Sequence, residues 1–377
     1  MVNHIPLFGV VHSEQAEAVA LEVMRSGRVA SGPYIAEFEK GLAALTGHEH
    51  VITTCDMTSA MLLALRLAGV CPGDEVLTTS FACLATNSAI AQCGATPAWV
   101  DVRPDSVEID IDDVARKIGR STKAVILYHV AGYPGPARQL ANLCRERGIA
   151  LIEDCDNALG ARRDGDPVGR AGDFAVYSFY PNRQINCTEG GAVACRNPDD
   201  AARARRLRRF GIDASTFRGE NGEINPSSDV PELGWAITMN NLCAAIGTTQ
   251  LASVAGRIAQ ARANSAALRE ALTGVPGVVP VPVADGAESA YWVFLVLADH
   301  RDVMLAALKE AGVMCSSLHQ RNDVYSGFKV ELPTQLPATV RLQDRILALP
   351  CGWWLQPADI CRIGDAVLAA SLAAHRA

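Results

Sequence analysis

Residues 174–191 read FAVYSFYPNRQINCTEGG, and this stretch decides the fold. Phe174–Tyr177 is a short apolar run of the kind a buried strand makes. It breaks at Ser178, passes Pro181 and reaches a polar turn that ends in Glu189-Gly190-Gly191. Upstream, the mostly apolar run Ile149–Glu153 delivers Asp154. Further strand candidates lie at His50–Thr54, Glu75–Thr79, Ala98–Val100 and Ala124–Tyr128, with helix candidates such as Ile111–Ile118 and Gln139–Arg147 between them. That alternation predicts an α/β fold with a mostly parallel sheet covered on both faces. Ligands of such sheets sit beyond the carboxyl ends of the strands, which is where Asp154 falls.

The outward reading bounds the rest. A chain of 377 residues, 49% of them apolar, can bury a large core and is expected to make two domains. We place the large one at 1–250, and a connecting helix with a smaller C-terminal α/β domain at 251–377. Pro276, Pro280 and Pro282 mark the linker, and Ala290–Val296 reads as a new strand. A net charge of −7 argues against nucleic acid as a partner. No apolar run has the length of a membrane span, and the opening MVNHIPLFGVVHSEQ lacks a signal-peptide layout, so a cytoplasmic protein is expected. The twelve cysteines are scattered, without CxxC pairs or clustered Cys/His ligands. They read as reduced core residues, and no metal site is expected. Ser13 can cap a first helix stopped by Gly27. Thr58-Ser59 heads the apolar run Ala60–Ala68; it reads either as a plain cap or as a phosphate site at a helix N-terminus. The Arg-rich run 203–209 reads first as a solvated helix face.

Ser178-Phe179, three variable residues, one more position and then Thr188-Glu189-Gly190-Gly191 resemble the cofactor motif of the DegT/StrS sugar aminotransferases, fold type I enzymes of pyridoxal phosphate (PLP). The resemblance extends from Ile5-Pro6 to Ala348-Leu349-Pro350-Cys351. It implies a large PLP domain, a smaller C-terminal domain and a homodimer. It also implies roles. Asp154, in Ile152-Glu153-Asp154-Cys155-Asp156-Asn157, would keep the pyridine nitrogen protonated, as the cofactor's action as an electron sink requires. Asn157 would meet the ring oxygen, Ser178 and the backbone at Thr58-Ser59 would hold the phosphate, and Cys83 would lie against the ring. Leu318-His319-Gln320-Arg321-Asn322-Asp323 is similar to a His-x-Arg-Asn-Asp segment of one subgroup, implying that His319, Arg321 and Asn322 contact a small-molecule sugar substrate, nucleotide-linked. Four departures stand out: Met57 where a small residue is usual, Asp156 where alanine is usual, and Ala236 and Thr238 where cross-subunit polar groups are usual. Asn240 or Asn241 is a candidate replacement for the last two.

The fifth departure is chemical. Arg183 stands where the family has its cofactor lysine. That lysine holds the cofactor covalently and then moves a proton, and both tasks need an amine that can lose its proton. A guanidinium stays charged and does neither. Only Lys40, Lys117, Lys123, Lys309 and Lys329 are present, all in other contexts. Three readings follow. In the first the chain is naturally lysine-free and binds PLP or its amine form (PMP) non-covalently, with His319 as the proton carrier in a dehydratase-like reaction. In the second it is a lysine-to-arginine variant of an ordinary aminotransferase. In the third the fold serves as a cofactor-free binding or scaffold protein.

Overall fold

A computed structural model of the chain describes residues 4–328 and 335–376. Lys329 lies outside the described residues. The central sheet has seven strands in the order His50–Thr54, Gly191–Cys195, Phe174–Ser178, Ala150–Asp154, Thr122–Tyr128, Glu75–Thr79, Thr96–Val100. Only Gly191–Cys195 runs against its neighbours. Phe174–Ser178 and Gly191–Cys195 are buried at every position, as strands covered on both faces must be. The expected α/β fold is therefore the observed one, and its parallel strands deliver Thr54, Ser178, Asp154, Tyr128 and Thr79 to one rim.

Local chemistry explains the helix ends. Ser13 Oγ accepts the Ala16 N–H at 3.1 Å and starts the helix Glu14–Ser26, which Gly27 closes in the left-handed region at φ 71°. The helix Met57–Leu67 is capped by Asp56, not by Thr58 or Ser59. Met57 turns its side chain into the core beneath the sheet, with 6% exposure. A second core is built on a three-stranded antiparallel sheet, Val278–Pro280, Phe294–Ala298 and Ile346–Leu349. The segment expected as a linker thus supplies an edge strand, a position that tolerates Pro280. Ile5 pairs with Val313 and packs into this second core. The helix Val254–Ala271 joins the two: Val254 and Ile258 pack in the first body, Leu268 in the second. All twelve cysteines are free thiols, seven of them buried. No described helix is long and apolar enough to cross a membrane.

One buried carboxylate fastens the sheet to the turns behind it. Glu153 accepts the N–H groups of Gly169 at 2.8 Å, Ala171 at 2.8 Å and Gly172 at 2.6 Å. It also meets His129 Nε2 at 3.0 Å, while His129 Nδ1 accepts the Gly135 N–H. Nε2 must then carry the imidazole proton. Burial alone would raise the Glu153 pKa, but these donors bring it below the ordinary value. His129, Glu153 and Cys155 lie close enough to resemble a metal cluster, yet the imidazole and carboxylate are already engaged by the chain. Glu153→Ala is expected to lower unfolding stability by about 3 kcal/mol or more, read from urea midpoints, because it strands several buried donors at once.

Candidate active site

The rim gathers Asp154 and Asn157, Cys83, Arg183 and His319 from four separate segments. Asp154 ends its strand with no exposure. Its Oδ2 accepts the Thr86 hydroxyl at 2.6 Å and its Oδ1 accepts the Asp156 N–H at 3.1 Å. Burial, and then the neighbouring Asp156 charge, hold the Asp154 carboxyl well above the usual carboxylate range. Asp156 is raised too, by burial, against the opposing pull of Arg183. Cys83 precedes the helix Leu84–Gln92, and burial followed by the Asp156 charge raises its thiol pKa.

Arg183 lies against this acidic pair. Its Nη2 donates to Asp156 Oδ2 at 2.9 Å and its Nη1 to Asn182 Oδ1 at 2.7 Å. The guanidinium carbon stands 4.5 Å from the centroid of Trp292, within cation–π range. Trp292 is itself tied to the motif loop, donating Nε1–H to the Asn182 carbonyl at 2.7 Å. Phe8 stacks on the same indole. Among the described residues, Lys117 is paired with Asp113, and Lys123 is the second residue of the strand Thr122–Tyr128, at the end opposite the rim.

A polar chain crosses the mouth. Asn157 Nδ2 donates to the Tyr128 hydroxyl at 2.9 Å, and that hydroxyl meets His319 Nε2 at 3.0 Å. With the tyrosine proton directed at Nε2, neutral His319 carries its own proton on Nδ1. Burial, and then the Arg183 charge, lower the His319 pKa to about 3. Three buried polar atoms around this group find no partner in the protein: Asn157 Oδ1, Asp156 Oδ1 and Arg183 Nε.

Other expected site residues are placed differently. Arg321 directs its guanidinium at Asp323, with Nε to Oδ1 at 3.0 Å. Asn322 is not a free donor for a sugar. Its Nδ2 donates to the Ala82 and Gln320 carbonyls, its Oδ1 accepts from Asn87 at 2.9 Å, and its N–H reaches the Ser80 carbonyl at 2.8 Å. Asn240 and Asn241 are structural as well: Asn240 caps the helix Asn241–Thr248, and Asn241 bridges Arg28 and Tyr34. Ser178 is nearly buried at its strand end and accepts the Tyr180 N–H at 3.4 Å. Thr86, Tyr128 and Trp292 escaped the sequence reading. The only signal for them was a polar or aromatic residue at the end or edge of an otherwise apolar run.

The His319 environment has a measurable sign. Its folded pKa lies below its unfolded value near 6.5, so the unfolded chain takes up this proton first. The stability it supports is present above about pH 6.5 and is lost as pH falls toward 3. His319→Gln is expected to flatten the stability–pH curve in that window by up to ~1.4 kcal/mol per pH unit, measured by urea unfolding at a series of pH values.

Comparison with known proteins agrees with this geometry. The profile of the DegT/DnrJ/EryC1/StrS aminotransferase family matches residues 11–368. A dTDP-4-dehydro-2,3,6-trideoxy-D-glucose 4-aminotransferase of Saccharopolyspora spinosa is 32% identical over 374 residues, 97% of this chain and 95% of its own. A GDP-perosamine synthase of Vibrio cholerae is 33% identical over 290 residues, 75% of this chain and 76% of its own. The sugar aminotransferase CalS13 of Micromonospora echinospora, known as a crystal structure, superposes with a TM-score of 0.91 at 31% identity, covering 97% of this chain and 99% of that one. With a rim of this composition at the carboxyl ends of the sheet and a match along nearly its whole length, the chain belongs to the DegT/DnrJ/EryC1/StrS aminotransferase family, whose members are PLP-dependent transaminases.

Proposed function

We propose that this is a PLP- or PMP-dependent enzyme acting at a keto or amino carbon of a nucleotide-linked sugar, with ordinary transamination impaired because Arg183 replaces the lysine. The observation that carries the reading is the buried Arg183–Asp156 pair at the centre of an otherwise intact ring site. The ring end fits the cofactor: Asp154 is buried and held by Thr86, and the partnerless Asn157 Oδ1 offers an acceptor beside it. The anchoring end does not fit a covalent link, because a guanidinium is no nucleophile at neutral pH. The cofactor is therefore proposed to bind non-covalently.

When bound, the cofactor supplies an electron sink for carbanion chemistry. The chain's own groups do the rest. Asp154 holds the proton at the pyridine nitrogen, and Thr86 orients that carboxyl. Arg183 stays charged, keeps Asp156 ionised and presents a fixed cation to the substrate side. Proton movement falls to His319, whose Nδ1–H is left over once Tyr128 has engaged Nε2. Arg321 is proposed as a substrate contact through its guanidinium edge, and Asn322 as the residue that positions the loop carrying both.

The guanidinium has a carboxylate, an amide oxygen and an indole face arranged around it. That fit favours arginine as the residue this pocket is built for, over a substituted lysine. A homodimer and a cytoplasmic location complete the proposal. Tyr180, Phe210 and Leu233, at 48%, 51% and 80% exposure, are apolar surface that a second subunit would cover.

The test is spectroscopic. Wild-type protein loaded with PLP is expected to retain cofactor through gel filtration without the absorbance band of a covalent lysine adduct. Arg183→Lys should gain that band and a half-reaction with an amino donor at least roughly 10³-fold faster, the usual reach of a positioned proton carrier. A wild-type half-reaction as fast as that of the lysine variant would refute the impairment. Absence of cofactor from both proteins would bring the scaffold reading forward.

A further inference from the structure

We propose that Asp56 supplies from within the chain the negative charge that a cofactor phosphate would bring to the helix Met57–Leu67, so that the pocket gives PMP little advantage over unphosphorylated pyridoxamine. The position of the phosphate end rests on the cofactor reading above; the electrostatic claim about the helix does not.

The register of the sheet brings the relevant groups to one corner. Thr54 and Ser178 are both paired with Gly191, on its two sides. The first turn of the helix therefore opens beside Ser178, where a phosphate would find backbone N–H groups, a hydroxyl and the positive end of the helix dipole. In this chain that corner already holds an anion. Asp56 Oδ1 accepts the Ser59 N–H at 2.7 Å, and Oδ2 accepts the Ser59 hydroxyl at 3.0 Å. Cys55 Sγ donates to the same Oδ2 at 3.2 Å.

Asp56 cannot easily withdraw. Thr54 Oγ1 donates to its carbonyl at 2.8 Å. The backbone is also pressed against the neighbouring strand: a Cβ placed on Gly191 would lie 2.4 Å from the Asp56 carbonyl oxygen. Glu189 adds a second carboxyl close by, its pKa raised by partial burial and then by the Asp56 charge. Among the described residues, no arginine or lysine forms an ion pair with either acid. Met57 does not obstruct the corner, because its side chain is in the core. Of the two carboxyls, only Asp56 is bonded to the first turn of the helix, so one substitution there removes the charge that sits on the helix N-terminus.

Binding of PMP, pyridoxamine and inorganic phosphate to the full-length wild type and to Asp56→Asn tests this. Asparagine is as good a cap as aspartate and removes the charge, at the cost of the acceptor that the Ser59 hydroxyl and Cys55 thiol use. Calorimetry should show wild-type affinities for the two vitamers within tenfold of each other. In Asp56→Asn the ratio should rise at least tenfold through tighter PMP binding alone. Inorganic phosphate should move the Thr58 and Ser59 amide resonances in the variant only. A wild-type preference for PMP of more than tenfold overturns the proposal, even if the variant does not fold. So does an unchanged ratio, or equal phosphate binding by the two proteins. If neither vitamer binds either protein while phosphate binds the variant alone, the ring-site reading fails and the role of Asp56 stands.

Discussion

Two carboxyl groups, Asp154 and Asp156, are buried two residues apart at the end of a central strand, and one cation, Arg183, stands against them. A charge taken out of water at such a depth costs far more than folding can supply unless it is neutralised or paired. The pocket resolves this unequally. Asp156 takes the cation, and Asp154, its pKa raised by burial and then by the Asp156 charge, is held in place by the Thr86 hydroxyl and a backbone N–H. The remaining geometry follows from that division. Trp292 lies over the guanidinium, and its own N–H ties the motif loop down. The mouth is closed by a histidine that burial, and then the same cation, keeps neutral.

The same arrangement separates two kinds of departure from the family pattern. Met57 looked obstructive as a letter, but its side chain turns inward and leaves the backbone available. Asp156 and Arg183, which the resemblance marks as two separate departures, form one interaction. Arg183 without a local anion would be an unpaired buried charge. Asp156 without the cation would put two like charges side by side. Each residue makes the other tolerable, and a buried ion pair of this kind resists loss of either partner alone.

Most of the fold was legible because its signals are local. Apolar runs of strand length, alternating with capped helical segments, led to the parallel sheet, and motif position put Asp154 and Ser178 on one rim. What stayed hidden depends on which atoms meet. Nothing in the letters says that Asn322 would place all its amide hydrogens on carbonyls of its own chain, or that Asp56, two residues ahead of the expected Thr58-Ser59 cap, would start the helix. Thr86 and Tyr128 are invisible for the same reason: their roles come from a strand order, and strand order is a long-range property. The Pro-marked linker was misread because an edge strand accepts proline as readily as a loop does.

Asn322 sits on the segment that carries His319 and Arg321, and it is bonded to the Ser80–Ala82 turn and Asn87 of the central-sheet body. Such a bolt sets the width of the cleft when the chain folds. A ligand arriving there meets walls already at their final spacing and gains nothing from closing them. Selectivity must then come from shape and charge present beforehand, and entry and departure must use whatever side of the cleft the bolt leaves open.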